Sequence, residues 1–350
     1  MANSLLLILQ LLCIFSSTCT AHIPKFPAIF AFGDSLLDSG NNNFILTLFQ
    51  ANHPPYGQSF PNQVPTGRFS NGKLVSDFLA FSLGIKDTIP PFLDPNLPVS
   101  ELKTGVSFAS AGAGFDDLTN VKTQGIPIFT QVENFKKFIE KLKGVVGEKE
   151  ALDIIKDALV LIMAGSNDIA LSLNNGFLRR LELGLSGYHD FLHQRLEEII
   201  KRLYDNGCRN VLITGLPPLG CIPAQMTARS SFNRQCIQNL NSEAQSYNQK
   251  LTEILPRIQG TFPGSKLVYA DLYQPLIDMN TNPQKYGYLE VGRGCCGTGL
   301  FEVGWLCNHL TPICSNASQF LYFDAIHPTE LAYHSISDYF MTTAIPLFLE

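Results

Sequence analysis

Short, continuous apolar runs alternate along the chain with longer segments in which apolar residues recur every three or four positions. The continuous runs predict buried strands, and polar or turn-forming residues follow each of them. These predicted strands cover residues 28–32, 158–163, 211–214 and 266–270. The helical spacing predicts amphipathic helices over residues 73–82, 129–143, 188–205, 233–255 and 329–342.

The alternation of strands and helices predicts an α/β fold. We expect three layers, with a parallel sheet of about five strands and helices on both of its faces. No repeat or linker divides the chain, so residues 22–350 are expected to form one domain. Ligands of such sheets bind at the carboxyl ends of the strands. Gly33-Asp34-Ser35 and Gly165-Ser166-Asn167-Asp168 both follow predicted strands directly.

The N-terminus has the pattern of a secretory signal peptide. Leu5 to Phe15 is apolar except for Gln10, and this run of 11 residues is too short to span a membrane. Small residues follow, and cleavage after Ala21 would remove residues 1–21. The sequence therefore predicts a secreted, extracellular protein with no transmembrane segment. A buried N-terminal helix is the alternative.

Composition and charge narrow the class of protein. The chain has 350 residues, of which 45% are hydrophobic, so it is long and apolar enough to bury a large core. This excludes disordered and low-complexity classes. The 25 Lys and Arg residues are outnumbered by 30 Asp and Glu residues. A nucleic-acid partner is not expected, because such binding normally requires a basic excess.

Cysteine usage agrees with an oxidising compartment. Seven of the nine cysteines lie beyond the predicted signal peptide, which contains Cys13 and Cys19. Most of the seven are expected to form disulfides, whose connectivity cannot be deduced, and an odd number leaves at least one thiol. A zinc site in the cluster 295–314 is the alternative. Asn316-Ala317-Ser318 is a sequon, so Asn316 is a predicted glycosylation site.

The chain has a serine, a histidine and an aspartate at positions that would allow acyl transfer. Ser35 follows a buried strand on a tight turn, but a serine hydroxyl needs a neighbouring base and a group that orients this base. Asp324 and His327 are three residues apart, so the carboxylate can orient the imidazole toward Ser35. The simpler alternative is that all three residues cap the helices that follow them.

The developing oxyanion also needs hydrogen-bond donors. Asn167 has a side-chain amide at the end of a predicted strand, and the glycine-rich stretch around Gly112 offers backbone N–H groups. The alternatives are a turn residue and a packing loop.

These elements, in this order, resemble the GDSL esterase/lipase family of SGNH hydrolases, and its large secreted plant branch in particular. The resemblance extends from about Phe26 to the C-terminus. Besides Gly33-Asp34-Ser35-Leu36, Gly112, Gly165-Ser166-Asn167-Asp168 and Asp324-x-x-His327, it includes Asp38-Ser39-Gly40-Asn41-Asn42-Asn43, Pro54-Pro55-Tyr56-Gly57, Pro65-Thr66-Gly67-Arg68-Phe69-Ser70-Asn71-Gly72, Gly215-Leu216-Pro217-Pro218-Leu219-Gly220-Cys221, Cys295-Cys296-Gly297 and His327-Pro328-Thr329-Glu330.

The resemblance implies a flavodoxin-like sheet and a catalytic triad of Ser35, His327 and Asp324. It further implies an oxyanion hole formed by the N–H groups of Ser35 and Gly112 and the side chain of Asn167. The chain reads Ala111-Gly112 where relatives often have two glycines, so position 111 is the alternative to 112. The implied reaction is hydrolysis of an acyl ester or lipid through an acyl-Ser35 intermediate, with no cofactor and no metal. The G-x-S-x-G elbow of α/β-hydrolases is absent.

Other functions remain open on the sequence. His189 and His193 have the spacing of the H-E-x-x-H metalloprotease motif with Asp190 in place of Glu, although a solvated helix face explains the pair more simply. The acyl group of the intermediate can also pass to an alcohol, and a secreted binding protein without turnover is a third alternative. Four aromatic residues near Ser35 either line an acyl groove or pack the long loop: Phe44, Phe49, Tyr56 and Phe60.

Overall fold

A computed structural model describes residues 25–170, 176–229 and 233–349, so the predicted signal peptide at residues 1–21 lies outside the described residues. The main sheet has four parallel strands in the order β1-β2-β3-β4. Their bounds are β1 Ile29–Gly33, β2 Leu159–Met163, β3 Asn210–Thr214 and β4 Lys266–Ala270. Strands β1 and β2 are buried along their whole length, which explains why they read as continuous apolar runs.

A further extended segment, residues 105–110, lies along the outer edge of β1. The Ala31 N–H donates to Val106 O (3.2 Å), and the N–H groups of Phe108 and Ser110 donate to Ala31 O (2.8 Å) and Gly33 O (3.0 Å). With this segment outside β1, the sheet has the flavodoxin-like order 2-1-3-4-5, which agrees with the expectation of about five strands. Its small residues read as a loop, so the sequence did not predict an extended segment there.

The α-helices of the described chain are α1 Val75–Ser82, α2 Asp117–Thr123, α3 Ile128–Val146, α4 Glu148–Asp157, α5 Ser166–Ala170, α6 Gly176–Asp205, α7 Pro223–Ala228, α8 Gln238–Thr261, α9 Tyr273–Thr281 and α10 Glu330–Thr343. Helices α3, α6 and α8 pack together beside the sheet, with α3 against β1 and α8 against β4. Helices α1, α9 and α10 pack together as a second group, with α1 against β1. The predicted three-layer α/β fold is confirmed.

Two helix boundaries differ from the predictions. The helix predicted over 188–205 begins earlier, at Gly176, and contains a break at Gly184, whose φ is +68°. The helix predicted over 233–255 runs instead over Gln238–Thr261 and continues through Pro256. Five further helices, the longest of which has 10 residues, were not predicted, because so few turns show little helical periodicity. They are α2, α4, α5, α7 and α9.

A second, two-stranded parallel sheet carries the chain toward the C-terminal helix. It pairs β5 Glu290–Gly294 with β6 Phe320–Tyr322, and two disulfides cross-link the segment between these strands. The disulfides join Cys295 to Cys314 and Cys296 to Cys307, while a third joins Cys221 to Cys236. Cys208 is the remaining thiol of the described chain, and it is buried.

The alternative prediction of a zinc site is wrong, because all four cysteines of the cluster 295–314 form disulfides with one another. Across residues 25–170, 176–229 and 233–349, no three His, Cys, Asp or Glu side chains are grouped so that they could hold a metal ion. No helix in the same ranges combines the length and the hydropathy that crossing a membrane requires.

Candidate active site

Ser35 lies on the turn that leaves the carboxyl end of β1. Gly33 begins this turn with a φ of +141°, and a Cβ atom there would stand 1.9 Å from Met163 O, so the close approach of β1 to β2 requires glycine. The Asp34 N–H donates to Met163 O (3.0 Å), and the N–H groups of Leu37 and Asp38 donate to Asp34 O. The Ser35 N–H donates to no group of the described chain, and the side chain is 9% exposed.

The structure brings Ser35 together with the two residues that the sequence placed at the opposite end of the chain. The distance from Ser35 Oγ to His327 Nε2 is 2.8 Å, and that from His327 Nδ1 to Asp324 Oδ2 is 2.7 Å. Neither Asp324 nor His327 caps the final helix, because Thr329 occupies the N-cap position of α10. The alternative interpretation of these residues as helix caps is therefore wrong.

Asp324 is completely buried, and four donors fix its carboxylate. Its Oδ1 accepts the N–H groups of Ile326 (2.8 Å) and His327 (2.7 Å). Its Oδ2 faces the His327 ring and accepts the hydroxyl of Tyr56 at 2.7 Å. Since the two oxygens of a carboxylate offer about four lone-pair sites, the arrangement uses its full capacity and leaves one orientation.

Tyr56, which the sequence suggested as a groove or packing residue, contacts Asp324, and the sequence did not predict this contact. It lies 268 positions before Asp324 in the chain and is 1% exposed. Its hydroxyl donates to Asp324 and accepts the Gly304 N–H at 2.8 Å. Burial raises the pKa of Tyr56 well above its ordinary value, and the neighbouring Asp324 carboxylate adds to this effect, so the hydroxyl stays protonated as a donor.

The loop that carries Asp324 and His327 is held on several sides. The N–H groups of Cys295 and Cys296 donate to Tyr322 O (3.0 Å) and Phe323 O (2.9 Å), so the disulfide-linked segment lies directly against it. The ring of Phe69 packs on the His327 imidazole with a centroid distance of 4.7 Å. These contacts keep the imidazole in a single position next to Ser35.

The two candidate oxyanion donors other than Ser35 lie near each other. The Asn167 amide donates to Ala113 O (2.9 Å), next to Gly112 in the chain. The Ala111 N–H is taken by Asp38 Oδ2 at 2.9 Å, whereas the Gly112 N–H donates to no group of the described residues. Gly112 has a φ of +84°, and a Cβ atom there would stand 2.6 Å from the Thr123 side chain.

Buried polar side chains hold these loops in place, and the sequence did not predict their roles. Asp38 accepts the N–H groups of Gly40 (2.8 Å) and Asn41 (2.7 Å) besides that of Ala111. Asp168 holds the chain that follows Gly112. It accepts the N–H groups of Phe115 (2.9 Å) and Asp116 (3.0 Å) and the hydroxyl of Thr119 (2.7 Å). Burial raises the pKa of both carboxyl groups to about 6, against the opposing effect of these hydrogen bonds. The run of polar residues from Asp38 to Asn43 is a signal that could have indicated the anchoring by Asp38.

A narrow cavity of about 50 Å³ opens at Ser35. Ser35, His327 and Asn167 line it together with mostly apolar side chains, whereas Gly112 does not line it. Burial raises the pKa of Asp34, which also lines the cavity, to about 7. None of the four aromatic residues suggested as groove residues lines this cavity. The Tyr56 hydroxyl donates to Asp324, and the Arg68 guanidinium stacks over the Phe60 ring.

Comparison with known proteins identifies the family. The profile described as GDSL-like Lipase/Acylhydrolase matches residues 29–340. The chain belongs to this GDSL family. Two GDSL esterase/lipases of Arabidopsis thaliana are 50% and 51% identical to it over 318 residues, which cover 90% of this chain and 88% of each relative. A third from the same plant is 44% identical over 348 residues, covering 98% of this chain and 95% of the relative. The predicted GDSL resemblance and the enzyme class, a hydrolase of ester bonds, are confirmed.

The His189 and His193 pair of this GDSL family member does not lie on a solvated helix face, so that expectation is wrong. The two side chains are 1% and 3% exposed and lie between α6 and α8. The His193 ring packs on the Tyr247 ring at 4.2 Å, and Glu243 Oε1 is 3.8 Å from His189 Nε2. The two histidines are thus polar groups inside the helix layer, and neither of them lines the Ser35 cavity.

Proposed function

We propose that the protein hydrolyses carboxylic esters through a covalent acyl-Ser35 intermediate. The observation that carries the proposal is the continuous set of hydrogen bonds from Ser35 Oγ through His327 to Asp324, at 2.8 and 2.7 Å. Neutral His327 accepts the Ser35 proton at Nε2 while Ser35 Oγ attacks the ester carbon. His327 then gives this proton to the leaving alcohol, and water repeats the sequence to release the acid.

Asp324 acts in this mechanism as the orienting group. Its Oδ2 accepts a hydrogen bond from the His327 Nδ1–H, which leaves Nε2 as the acceptor that faces Ser35. The negative charge of Asp324 also stabilises the imidazolium that forms when His327 takes up the proton.

We assign the oxyanion hole to the N–H groups of Ser35 and Gly112 and to the Asn167 side-chain amide. The first two N–H groups donate to no other group of the described chain. Gly112 is preferred to Ala111 because Asp38 already takes the Ala111 N–H. Such donors stabilise the charge that develops on the carbonyl oxygen in the transition state.

We also propose that the protein is secreted after removal of residues 1–21, and that residues 22–350 form one catalytic domain. The three disulfides support an oxidising compartment. Asn316 is exposed and its Oδ1 accepts the Ser318 N–H (3.0 Å), so the sequon lies at the surface and is proposed to be glycosylated.

Replacement of the proposed nucleophile tests the mechanism. Ser35→Ala is expected to lower kcat/KM for a p-nitrophenyl ester at least about a thousandfold, because no other group can form the acyl-enzyme. Ser337→Ala is the matched control, since Ser337 is buried and its hydroxyl has no hydrogen-bond partner. The control should retain wild-type activity. Persistent hydrolysis by folded Ser35→Ala protein, or acyl transfer to an alcohol at the expense of water, would contradict the proposed hydrolase.

A further inference from the structure

Two uncharged stretches of the chain carry an exposed apolar patch. Residues 39–67 and 303–323 contain no Asp, Glu, Lys or Arg, although 16% of the whole chain is charged. Five large apolar side chains in these stretches are exposed by half or more: Leu46 (92%), Leu48 (76%), Trp305 (50%), Leu306 (57%) and Leu310 (81%). We call these five residues the leucine–tryptophan patch. Together they present on the order of several hundred Å² of apolar surface, a size that marks an interaction site on a soluble protein.

The two stretches adjoin each other in the fold. The rings of His53 and Trp305 stack with a centroid distance of 4.8 Å. A Cβ atom on Gly304 would stand 3.5 Å from Leu48 O, so the loop of Leu48 runs directly beside that of Trp305. Both stretches also contribute to one small apolar core, for example through Tyr56 and Cys307. The exposed side chains therefore lie on adjoining loops of one surface.

A buried threonine fixes the first loop with its leucines outward. Thr47 is 6% exposed, and its Oγ1 donates to Thr123 O (2.9 Å) and accepts the Phe49 N–H (3.1 Å). Leu46 and Leu48 lie on either side of it in the chain and are directed to solvent. Their exposure is thus part of an anchored conformation.

The second loop is held by a disulfide and by an asparagine side chain. Cys307 is bonded to Cys296. Asn308 Nδ2 donates to Trp305 O (2.8 Å), and its Oδ1 accepts the Leu310 N–H (2.9 Å). These contacts keep Trp305 and Leu310 at the surface, where their contact with water is unfavourable until another apolar phase covers them.

We infer that the leucine–tryptophan patch docks the protein on the surface of an uncharged lipid phase. Leu46 and Leu310 stand largely clear of the protein, so they can enter a fluid acyl layer, which needs no preformed pocket. A second copy or another folded partner would have to offer a pocket to each of them, and such interfaces also have a polar rim with about ten hydrogen bonds. The patch has no charged side chain and the chain has a net charge of −5, so anionic headgroups offer no attraction.

The patch lies beside the loop that carries Asp324 and outside the Ser35 cavity. None of its five residues lines that cavity. Tyr56 connects the two regions, because its hydroxyl contacts Asp324 and the N–H of Gly304, which precedes Trp305 in the chain. Docking brings an ester hydrolase to the phase in which apolar esters collect. The inference concerns binding and does not depend on the acyl-Ser35 mechanism.

Trp305 reports docking directly, because it is the one tryptophan of the sequence. Vesicles of ether-linked phosphatidylcholine contain no ester bonds, so the protein can bind them without hydrolysing them. We expect these vesicles to shift the Trp305 emission to shorter wavelength and to protect the ring from quenching by iodide. Inclusion of ether-linked phosphatidylglycerol, which is anionic, should not strengthen the binding.

Substitution of single exposed leucines tests the residues. Leu48→Ser is expected to weaken co-sedimentation with the same vesicles at least about tenfold, because it removes one inserted apolar side chain. Leu289→Ser is the matched control, since Leu289 is also 76% exposed but lies next to Glu290, outside both uncharged stretches. The control should change binding by less than about twofold. Both variants should hydrolyse a dissolved acetate ester as the wild type does, which shows that their fold is intact.

The outcomes separate the lipid surface from other partners. Unchanged Trp305 emission without co-sedimentation, binding that requires the anionic lipid, or equal losses in Leu48→Ser and Leu289→Ser would overturn the inference. A dimer that Leu48→Ser dissociates, in a protein that binds no vesicles, would also overturn it and would make the patch a contact between copies. None of these results bears on the esterase mechanism, which the Ser35→Ala assay tests separately.

Discussion

At the scale of single residues, the carboxylate of Asp324 is the most constrained group of the site. Two backbone N–H groups, the His327 ring and the Tyr56 hydroxyl all donate to it. Because Tyr56 and His327 share Oδ2, the tyrosine reduces the negative charge that this oxygen offers to the imidazolium. We therefore regard Tyr56 as a positioning residue that also tunes the base.

Tyr56→Phe should lower kcat/KM about tenfold and move the acid limb of its pH profile to higher pH. Without the hydroxyl, Asp324 holds the protonated imidazole more strongly, so the proton on His327 is harder to remove. The measurement is kcat/KM between pH 5 and 9. Tyr288→Phe is the control, because Tyr288 is equally buried and its hydroxyl contacts Met279. An unchanged acid limb in Tyr56→Phe would show that the tyrosine only packs the loop.

At the scale of elements, the disulfide-linked segment between β5 and β6 packs against the loop that carries Asp324 and His327. The Cys296–Cys307 disulfide closes a loop with a sequence separation of 11, and this loop contains Gly304, which donates to Tyr56. The disulfide thus contributes to stability and also holds one of the two hydrogen-bond partners of Tyr56.

Removal of this disulfide in Cys296→Ala/Cys307→Ala should lower the free energy of unfolding by about 3 kcal/mol, because the unfolded chain gains the entropy of the opened loop. It should also lower kcat/KM at a temperature where the variant is fully folded. Thermal unfolding and ester hydrolysis measure the two effects. Cys208→Ala serves as the control, since it removes a buried sulfur without removing a cross-link. Equal activity in the two variants would mean that the loop does not act on Tyr56.

At the scale of the whole molecule, the helix layer formed by α3, α6 and α8 contains a buried histidine, His193, whose pKa lies well below its ordinary value. His193 has both ring nitrogens buried without a hydrogen-bond partner. Burial lowers its pKa from 6.5 to about 4, with smaller contributions from His189 and Lys250. The folded protein therefore keeps this ring neutral, whereas the unfolded chain takes up a proton below pH 6.5.

The stability that follows from this shift is fully present above pH 6.5 and is lost as the pH falls toward 4. The full shift corresponds to about 3 kcal/mol. His193→Phe should thus match or exceed the wild-type Tm at pH 7.5 and should gain several degrees on it by pH 4.5. The difference between the two Tm values isolates this group, because the other titrating side chains are common to both. A constant difference across this range would argue against the buried neutral histidine.

Much of the fold was predictable because its signals are local. Continuous apolar runs marked the four strands of the main sheet, and amphipathic spacing marked five helices, among them the four longest of the described chain. The short helices and the extended segment 105–110 gave no such signal, since their place in the fold depends on contacts with β1 and with distant loops.

The sequence likewise supplied the chemical types for the site: a hydroxyl after a strand, an aspartate three residues from a histidine, an amide after another strand and an odd number of cysteines. Those are properties of short stretches. Tertiary structure alone decided the disulfide partners, the hydrogen bond from the Ala111 N–H to Asp38, the contact of Tyr56 with Asp324 and the size of the cavity at Ser35. Each of these depends on distances between residues that are remote in the chain, and only the packing of the folded molecule sets such distances.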